Sequence, residues 1–165
     1  DLRCPPTSSL GRWFDAAAGL LGLRAESRYE GQTAMELEGL AAAHGPELAL
    51  PGGYAIRDGE LDFSPLLPIL LECDDPGRGA ALFHATVAAG LTEWTLVAVD
   101  REKEAKIAVG GGCAMNTVLM SALRRHLEAQ GVALLEAQQA PPNDGGLALG
   151  QGWVARRTGE QIILP

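Results

Sequence analysis

The sequence is poor in the residues that build covalent frameworks and aromatic surfaces. Aromatic side chains make up 5% of the 165 residues, and the three cysteines, Cys4, Cys73 and Cys113, lie far apart. An odd number of scattered cysteines gives neither a disulfide framework nor the paired spacing of a zinc site. Reduced thiols are the default, so we expect a cytoplasmic protein. Cys113 is interpreted as a small buried residue; a thiol activated by a helix start is the alternative.

Positive charge and long apolar runs are also scarce. Lys and Arg number 13 against 21 Asp and Glu, which gives a net charge of −8. This balance argues against non-specific nucleic-acid binding, which needs basic residues to neutralise many phosphates. No apolar run approaches the ~20 residues of a membrane span, and no signal peptide opens the chain. We therefore expect neither nucleic acid nor a membrane as a partner.

The histidines form no metal motif. His44, His84 and His126 are too far apart for the His-x-x-x-His pair that holds zinc on one helix. Each is interpreted as a surface or packed residue, and the sequence assigns no role to His84. The length fits a single domain over residues 1–165. Because the chain opens at Asp1 rather than at Met, we expect it to be part of a longer protein.

The first hundred residues read as helices around one hairpin. Apolar spacing predicts helices over residues 10–21, 33–44 and 78–100, and Ser64-Pro65 predicts the start of a short one that ends near residue 73. Asp58-Gly59, between two short apolar segments, is a strong hairpin signal. We expect Thr7, Ser8 and Ser9 to offer caps to the first helix.

The last sixty residues alternate strand, helix, strand and helix. Strands are predicted over residues 106–109 and 132–135, with helices over 116–130 and 144–157. This order predicts parallel strands, whose following loops meet at the edge where such sheets bind ligands. The first of these loops contains Gly110, Gly111 and Gly112. Glycine before a helix start lets backbone N–H groups approach a phosphate, but the spacing is not Gly-x-Gly-x-x-Gly and simple close packing is the alternative.

Three blocks of sequence resemble the C-terminal part of the hydrogenase-maturation carbamoyltransferase family, HypF. They are residues 110–116 (GGGCAMN), residues 140–152 (APPNDGGLALGQG), and residues 8–18 (SSLGRWFDAAA) continued by 29–38 (YEGQTAMELE). The resemblance spans nearly the whole chain. It implies an α/β fold, one lobe of the actin/Hsp70/sugar-kinase type, with a small mixed sheet flanked by helices. That lobe would be the C-terminal one of a carbamoyltransferase domain.

The resemblance also implies roles for particular residues. Asp144 matches an aspartate that helps bind a metal, although an N-cap aspartate explains the position equally well. Asp15 matches a residue that binds a ribose hydroxyl of the nucleotide; otherwise it is a solvated helix charge. Gly31 matches the loop beside the nucleotide. Asn116, which would otherwise cap its helix, matches a nucleotide contact, as do the three glycines of the turn.

Glu36, Glu38 and Gln32 lie in the third of these blocks. Glu36 and Glu38 are interpreted as part of a solvated face and helix start and receive no catalytic role. Gln32 stands where the tRNA-modifying relatives carry a second glycine, and this departure favours the carbamoyltransferase branch.

The activity that the resemblance implies is carbamoyl transfer. Carbamoyl phosphate and ATP would yield carbamoyl-adenylate, and the carbamoyl group would pass to a C-terminal cysteine of HypE to become a cyanide ligand of the [NiFe]-hydrogenase. A divalent metal (iron, zinc or magnesium) would be shared with a missing N-terminal lobe that carries paired histidines. Because one aspartate cannot hold a catalytic metal, we expect this chain alone to be inactive. The alternatives are a tRNA threonylcarbamoyl transferase and a non-catalytic nucleotide-binding or docking module.

Overall fold

The computed structural model describes residues 7–102 and 106–158. Helices and strands alternate as the sequence predicts, with boundaries within a few residues of the expected ones. In chain order they are α1 (Leu10–Leu20), α2 (Gln32–His44), β1 (Ala55–Arg57), β2 (Glu60–Asp62), α3 (Leu67–Leu71), α4 (Pro76–Glu102), β3 (Lys106–Ala108), α5 (Thr117–Glu128), β4 (Ala133–Leu135) and α6 (Leu147–Thr158). Short 3-10 turns precede α3, α5 and α6, at Ser64–Leu66, Gly112–Met115 and Asp144–Gly146.

The long helix α4 is the centre of the molecule, with α2 and α5 packed against it. Phe83, Val87 and Ala88 of α4 are buried with Phe14 of α1 and Leu37 of α2 in the larger apolar cluster. By length and composition α4 could cross a membrane, so the prediction that no apolar segment approaches that size is wrong. Its burial by neighbouring helices explains the composition, because a core helix is apolar on most of its faces.

The described strands form two separate two-stranded sheets. In the first, β1 and β2 pair antiparallel with Ile56 opposite Leu61. Asp58 and Gly59 have φ of 52° and 85°, as the predicted two-residue hairpin turn requires. In the second sheet β3 and β4 pair in parallel, and α5 connects them. The predicted parallel pair is therefore confirmed, and it orients the two loops described below.

Two helix starts differ from expectation. Ser9 occupies the N-cap position of α1, but its side chain makes no capping hydrogen bond. Helix α4 begins at Pro76, two residues earlier than predicted, and Asp75 accepts hydrogen bonds from the N–H groups of Gly77 and Arg78 at 2.9 and 3.2 Å. Proline is well suited to the first turn because its missing N–H would be unpaired there. Asp75 and Pro76 thus form the start of this helix.

Helix α6 lies outside both apolar clusters. No residue along it is buried, and its contacts run mainly to the preceding 3-10 turn. Several of its large apolar side chains are more than half exposed: Leu147, Leu149, Trp153 and Val154. In the part of the chain described here, α6 is therefore a helix whose apolar side has no protein against it.

Candidate functional site at the carboxyl edge of the parallel strands

The loops that follow β3 and β4 are in direct contact. The N–H of Gly111 donates to the carbonyl oxygen of Pro142 at 2.6 Å. Beside it, Nδ2 of Asn143 donates to Sδ of Met115 at 2.9 Å. The prediction that both loops share one edge of the sheet is confirmed, and it places Asp144 next to the glycine turn.

The three glycines of the turn have different structural needs. Gly111 has φ of +92°, a conformation that side chains with a Cβ rarely adopt. A Cβ built on Gly112 has no heavy atom within 4 Å, and one on Gly110 lies 3.8 Å from the carbonyl oxygen of Pro142. The backbone conformation thus requires glycine at position 111. Close packing requires it at neither 110 nor 112. Gly112 leaves open space that a ligand can enter, whereas a Cβ at Gly110 would contact the Pro142 carbonyl oxygen.

Asp144 does not act as the cap. The N-cap of the 3-10 turn is Asn143, whose Oδ1 accepts from the N–H of Gly145 at 3.0 Å. The turn itself requires glycine at position 146, because a Cβ there would lie 2.4 Å from the carbonyl oxygen of Pro141. Asp144 is exposed at the start of this fixed turn. The capping interpretation therefore belongs to its neighbour, and metal binding by Asp144 stays a prediction.

Asp15 is held between two partners at the start of the chain. Its Oδ1 accepts from Oγ1 of Thr33 at 2.5 Å, and its Oδ2 lies 3.0 Å from Nη1 of Arg12. Gly31, two residues before Thr33, is the N-cap of α2 with φ of 78°. The interpretation of Asp15 as a solvated charge is therefore incomplete, because the carboxylate also links α1 to the first turn of α2.

Gln32 closes the loop in front of α2. Its Oε1 accepts from the N–H of Arg28 at 2.8 Å, and its Nε2 donates to Glu36 at 3.0 Å. Arg24 also bonds Glu36, and these hydrogen bonds lower the pKa of the Glu36 carboxyl. A glycine at position 32 would make none of the side-chain contacts. Glu36 thus lies on a partly exposed face of α2 and is also bonded to Arg24 and Gln32.

Cys113 lies in the 3-10 turn that begins at Gly112, close enough to Asp15 to feel its charge. The thiol is half-buried and packs on the larger apolar cluster, and α1 contacts the 3-10 turn that contains it. Burial, with a smaller effect of the nearby Asp15 carboxylate, raises the pKa of the Cys113 thiol. Cys113 is thus partly rather than fully buried, and its raised pKa disfavours the thiolate that reactivity requires.

At the N-terminus of α5, Asn116 and His84 form a buried polar contact that the sequence did not predict. Asn116 caps the helix, as one interpretation predicted: its Oδ1 accepts from the N–H of Leu119 at 2.8 Å. Its Nδ2 lies 3.0 Å from Nε2 of His84. Glu38 accepts from the N–H and Oγ1 of Thr117 at 2.7 and 2.6 Å. Glu38 is therefore a partly exposed side chain that also caps the start of a distant helix.

Glu38 occupies the N-terminus of α5, which is one place where a phosphate could have bound at this edge. A carboxylate already meets the partial positive charge of the α5 N-terminus, so that charge is not free for a second anion. An anion would instead be bound by the glycine turn, where Gly112 leaves space. In the described part of the chain, Asp144 makes no hydrogen bond or ion pair with Asp15 or Asn116.

A complete metal site is not present in residues 7–102 and 106–158. No group of three or more His, Cys, Asp or Glu side chains converges there. Metals in proteins need several ligands from converging elements, so Asp144 would need partners from beyond the described residues.

Comparison with known proteins identifies where this architecture occurs. Residues 1–151 match the family described as carbamoyltransferase, Kae1-like domain, second subdomain. Carbamoyltransferase HypF of Rhizobium leguminosarum is 48% identical over 155 residues, and carbamoyltransferase HypF2 of Cupriavidus necator is 45% identical over 181 residues. Each alignment covers 93% of this chain but only 20% and 22% of those relatives.

A solved structure shares the fold. The crystal structure of full-length HypF in its phosphate- and nucleotide-bound form superposes with a TM-score of 0.80 at 30% identity, over 96% of this chain and 21% of that one. The chain thus spans about a fifth of the length of these two relatives and of this solved structure.

Proposed function

Because this chain belongs to the HypF carbamoyltransferase family, as the second subdomain of the Kae1-like domain, we propose that it forms one side of a carbamoyl-transfer site. The supporting observation is the meeting of three separate sequence blocks. Gly111 bonds Pro142, and Cys113 in the next turn lies near Asp15, which bonds Thr33. Residues far apart in the chain thus surround one edge of the β3–β4 sheet.

The proposed ligand at this edge is ATP. Gly110, Gly111 and Gly112 would bring backbone N–H groups to the phosphates, and the open space at Gly112 fits a closely approaching group. Asp15 would accept from a ribose hydroxyl, and Gly31 would flank the nucleotide. The related HypF crystallised in a phosphate- and nucleotide-bound form, which supports a nucleotide in this family.

The proposed reaction uses the whole parent protein. Carbamoyl phosphate and ATP would give carbamoyl-adenylate with release of phosphate and pyrophosphate. The sulfur of the C-terminal cysteine of HypE, in the cytoplasm, would then take the carbamoyl group and release AMP. A divalent metal, when bound, would supply positive charge for phosphate or carbamoyl oxygens. Asp144 would be its ligand from this chain, with the remaining ligands from the N-terminal lobe.

Gln32 separates the proposal from its nearest alternative. In a tRNA threonylcarbamoyl transferase the matching position is glycine, whereas Gln32 bonds Arg28 and Glu36 to close its loop. The net charge of −8 also opposes a nucleic-acid substrate. A non-catalytic nucleotide-binding module would bind ATP at the same glycines, and turnover in the parent protein distinguishes it.

Gly112→Val in the full-length parent tests the proposal. Valine fits the free structure, since no heavy atom lies within 4 Å of its Cβ and the backbone is not left-handed. Gly19→Val is the matched control, because Gly19 has equal space on α1 and no proposed role. We expect Gly112→Val to lower carbamoyl-phosphate-dependent ATP turnover at least about tenfold, a loss of about 1.4 kcal/mol of transition-state stabilisation, while the control keeps it. A folded Gly112→Val protein with unchanged turnover would contradict the proposal.

A further inference from the structure

His84 is a buried titratable group that the proposed function does not use. The side chain is 1% exposed in the middle of α4, with the rings of Phe14 and Phe83 edge-on at 5.5 and 5.6 Å. Its Nδ1 lies 2.8 Å from the carbonyl oxygen of Ala80, and its Nε2 lies 3.0 Å from Nδ2 of Asn116. Both ring nitrogens therefore have one defined partner each.

The partners determine where the protons are. The N–H of Leu119 needs an acceptor, which fixes Oδ1 of Asn116 towards α5 and turns the amide nitrogen towards His84. Since that nitrogen is a donor, Nε2 of His84 must be the acceptor. The proton of the neutral ring is then on Nδ1, where it donates to the carbonyl of Ala80. All of these hydrogen bonds form together when His84 carries its proton on Nδ1 and the Asn116 amide has this one orientation.

We infer that neutral His84 is a positioning residue that holds the amide of Asn116, and with it the first turn of α5, in place behind the glycine turn. The contacts of Asn116 with His84 and Leu119 are sufficient for this role in α5. Its consequence for nucleotide binding rests on the proposed function, because there the glycine turn is the ATP site. Asn116 is only 6% exposed, so His84 would act on the nucleotide through the backbone that Asn116 fixes.

Protonation of His84 would oppose this arrangement. A cationic ring carries N–H on both nitrogens, so Nε2 would face the amide N–H group as a second donor. The groups around the ring are Phe14 from α1, Glu38 from α2 and Asn116 at the start of α5. Burial lowers the pKa of His84, and the Ala80 carbonyl and the Glu38 carboxylate only partly offset that effect.

The sign of the pH dependence follows from this lowered pKa. Above the ordinary histidine pKa, neutral His84 contributes its full stabilisation. As the pH falls below that value, the unfolded chain takes up a proton that the native ring resists, so the contribution decreases. The α5 start should therefore open more readily at about pH 5.5 than at about pH 7.5, on either side of the ordinary histidine pKa.

Three variants of the full-length parent protein test the inference. His84→Gln supplies an uncharged acceptor near the position of Nε2, and His84→Phe keeps a buried ring but removes the acceptor. Asn116→Asp keeps the cap, since Asp and Asn cap about equally well, but turns an acceptor towards Nε2. The measurements are amide hydrogen exchange over residues 116–120, corrected for intrinsic rates, and the Kd for ATP, each at both pH values.

We expect His84→Phe to raise exchange at the α5 start roughly tenfold or more at pH about 7.5, because a buried donor loses its partner. His84→Gln should show the wild-type rate of amide exchange at that pH, and its exchange should not increase at low pH. In the Asn116→Asp variant the pH dependence should reverse, since a protonated His84 can donate to the introduced carboxylate.

Unchanged exchange in a folded His84→Phe protein would overturn the inference. If that variant does not fold, Asn116→Asp decides: an unreversed pH dependence would overturn it as well. The ATP measurement separates this inference from the proposed function. Altered exchange without ATP binding by any variant, wild type included, would leave the positioning role supported and remove the nucleotide site.

Discussion

The contact between Glu38 and Thr117 allows a quantitative test of how α2 and α5 are joined. Oε1 of Glu38 accepts from both the N–H and the hydroxyl of Thr117, which begins α5. Glu38→Gln keeps an acceptor and removes the charge. The charge contributes about 0.3–1 kcal/mol through the helix dipole, and a hydrogen bond to a charged group exceeds a neutral one by about 1 kcal/mol. Because Glu38 is only partly buried, we expect a loss of about 0.5–1.5 kcal/mol after allowing for screening.

Glu38→Ala should cost more, about 1.5–3 kcal/mol, because the N–H of Thr117 then loses its acceptor. For a chain of this size about 1 kcal/mol shifts the Tm by about 2–4 °C. The assay is chemical and thermal unfolding at low salt and at about 1 M salt, which screens exposed charges. Glu60→Gln, an exposed change of the same charge on β2, is the control. If Glu38→Gln costs no more than this control at low salt, the carboxylate does not stabilise α5.

Three further predictions follow from the same edge of the sheet. Asp144→Asn should leave the Tm unchanged, because Asn143 is the cap, and should abolish metal binding and carbamoyl transfer in the parent protein; retention of both would remove Asp144 from the site. Gly111→Ala should lower stability by about 1–2 kcal/mol in denaturant unfolding because of its positive φ, whereas Gly112→Ala should change it by less than about 0.5 kcal/mol. The isolated chain should unfold cooperatively yet show no carbamoyl-phosphate-dependent ATP turnover, and turnover by it alone would refute the need for the other lobe.

Local patterns were sufficient for the architecture. The Asp58-Gly59 turn could be predicted because few dipeptides accept its left-handed backbone, and the order of β3, α5 and β4 could be predicted from the change of apolar period. The shared edge of the two loops then followed from the parallel pairing alone. Each of these features depends on residues close together in the sequence or on a general rule of chain connection.

Side-chain partnerships between helices could not be predicted in this way. Glu38 and Thr117 are separated by 79 positions, and His84 and Asn116 by 32. Which of several polar residues meet depends on how α2, α4 and α5 rotate against one another, which apolar periodicity defines only approximately. A buried polar group on α4 had to find partners, because an unsatisfied one is costly, but the sequence does not name them.

Adjacent residues of equal propensity also limited the prediction. Asn143 and Asp144 are both good N-caps, so the sequence could not decide which of them accepts from the backbone. The three glycines were likewise equivalent in the sequence. Only the backbone angles show that Gly111 is needed for the turn itself while Gly112 is not. The difference matters for experiments, since a valine at position 111 would disturb the loop whether or not a ligand binds.

The exposed apolar side of α6 gives this chain an optical reporter. Trp153 is 57% exposed there, with the guanidinium of Arg157 5.0 Å from its ring, whereas Trp13 is half-buried at 5.8 Å from the ring of Phe63. Indole emission moves to shorter wavelength when water is excluded from the ring. A chain that keeps Trp153 and carries phenylalanine at its other tryptophans would therefore emit like a solvated indole by itself. Any protein surface that covers α6 would shift its spectrum, so assembly of the parent domain can be followed without an added dye.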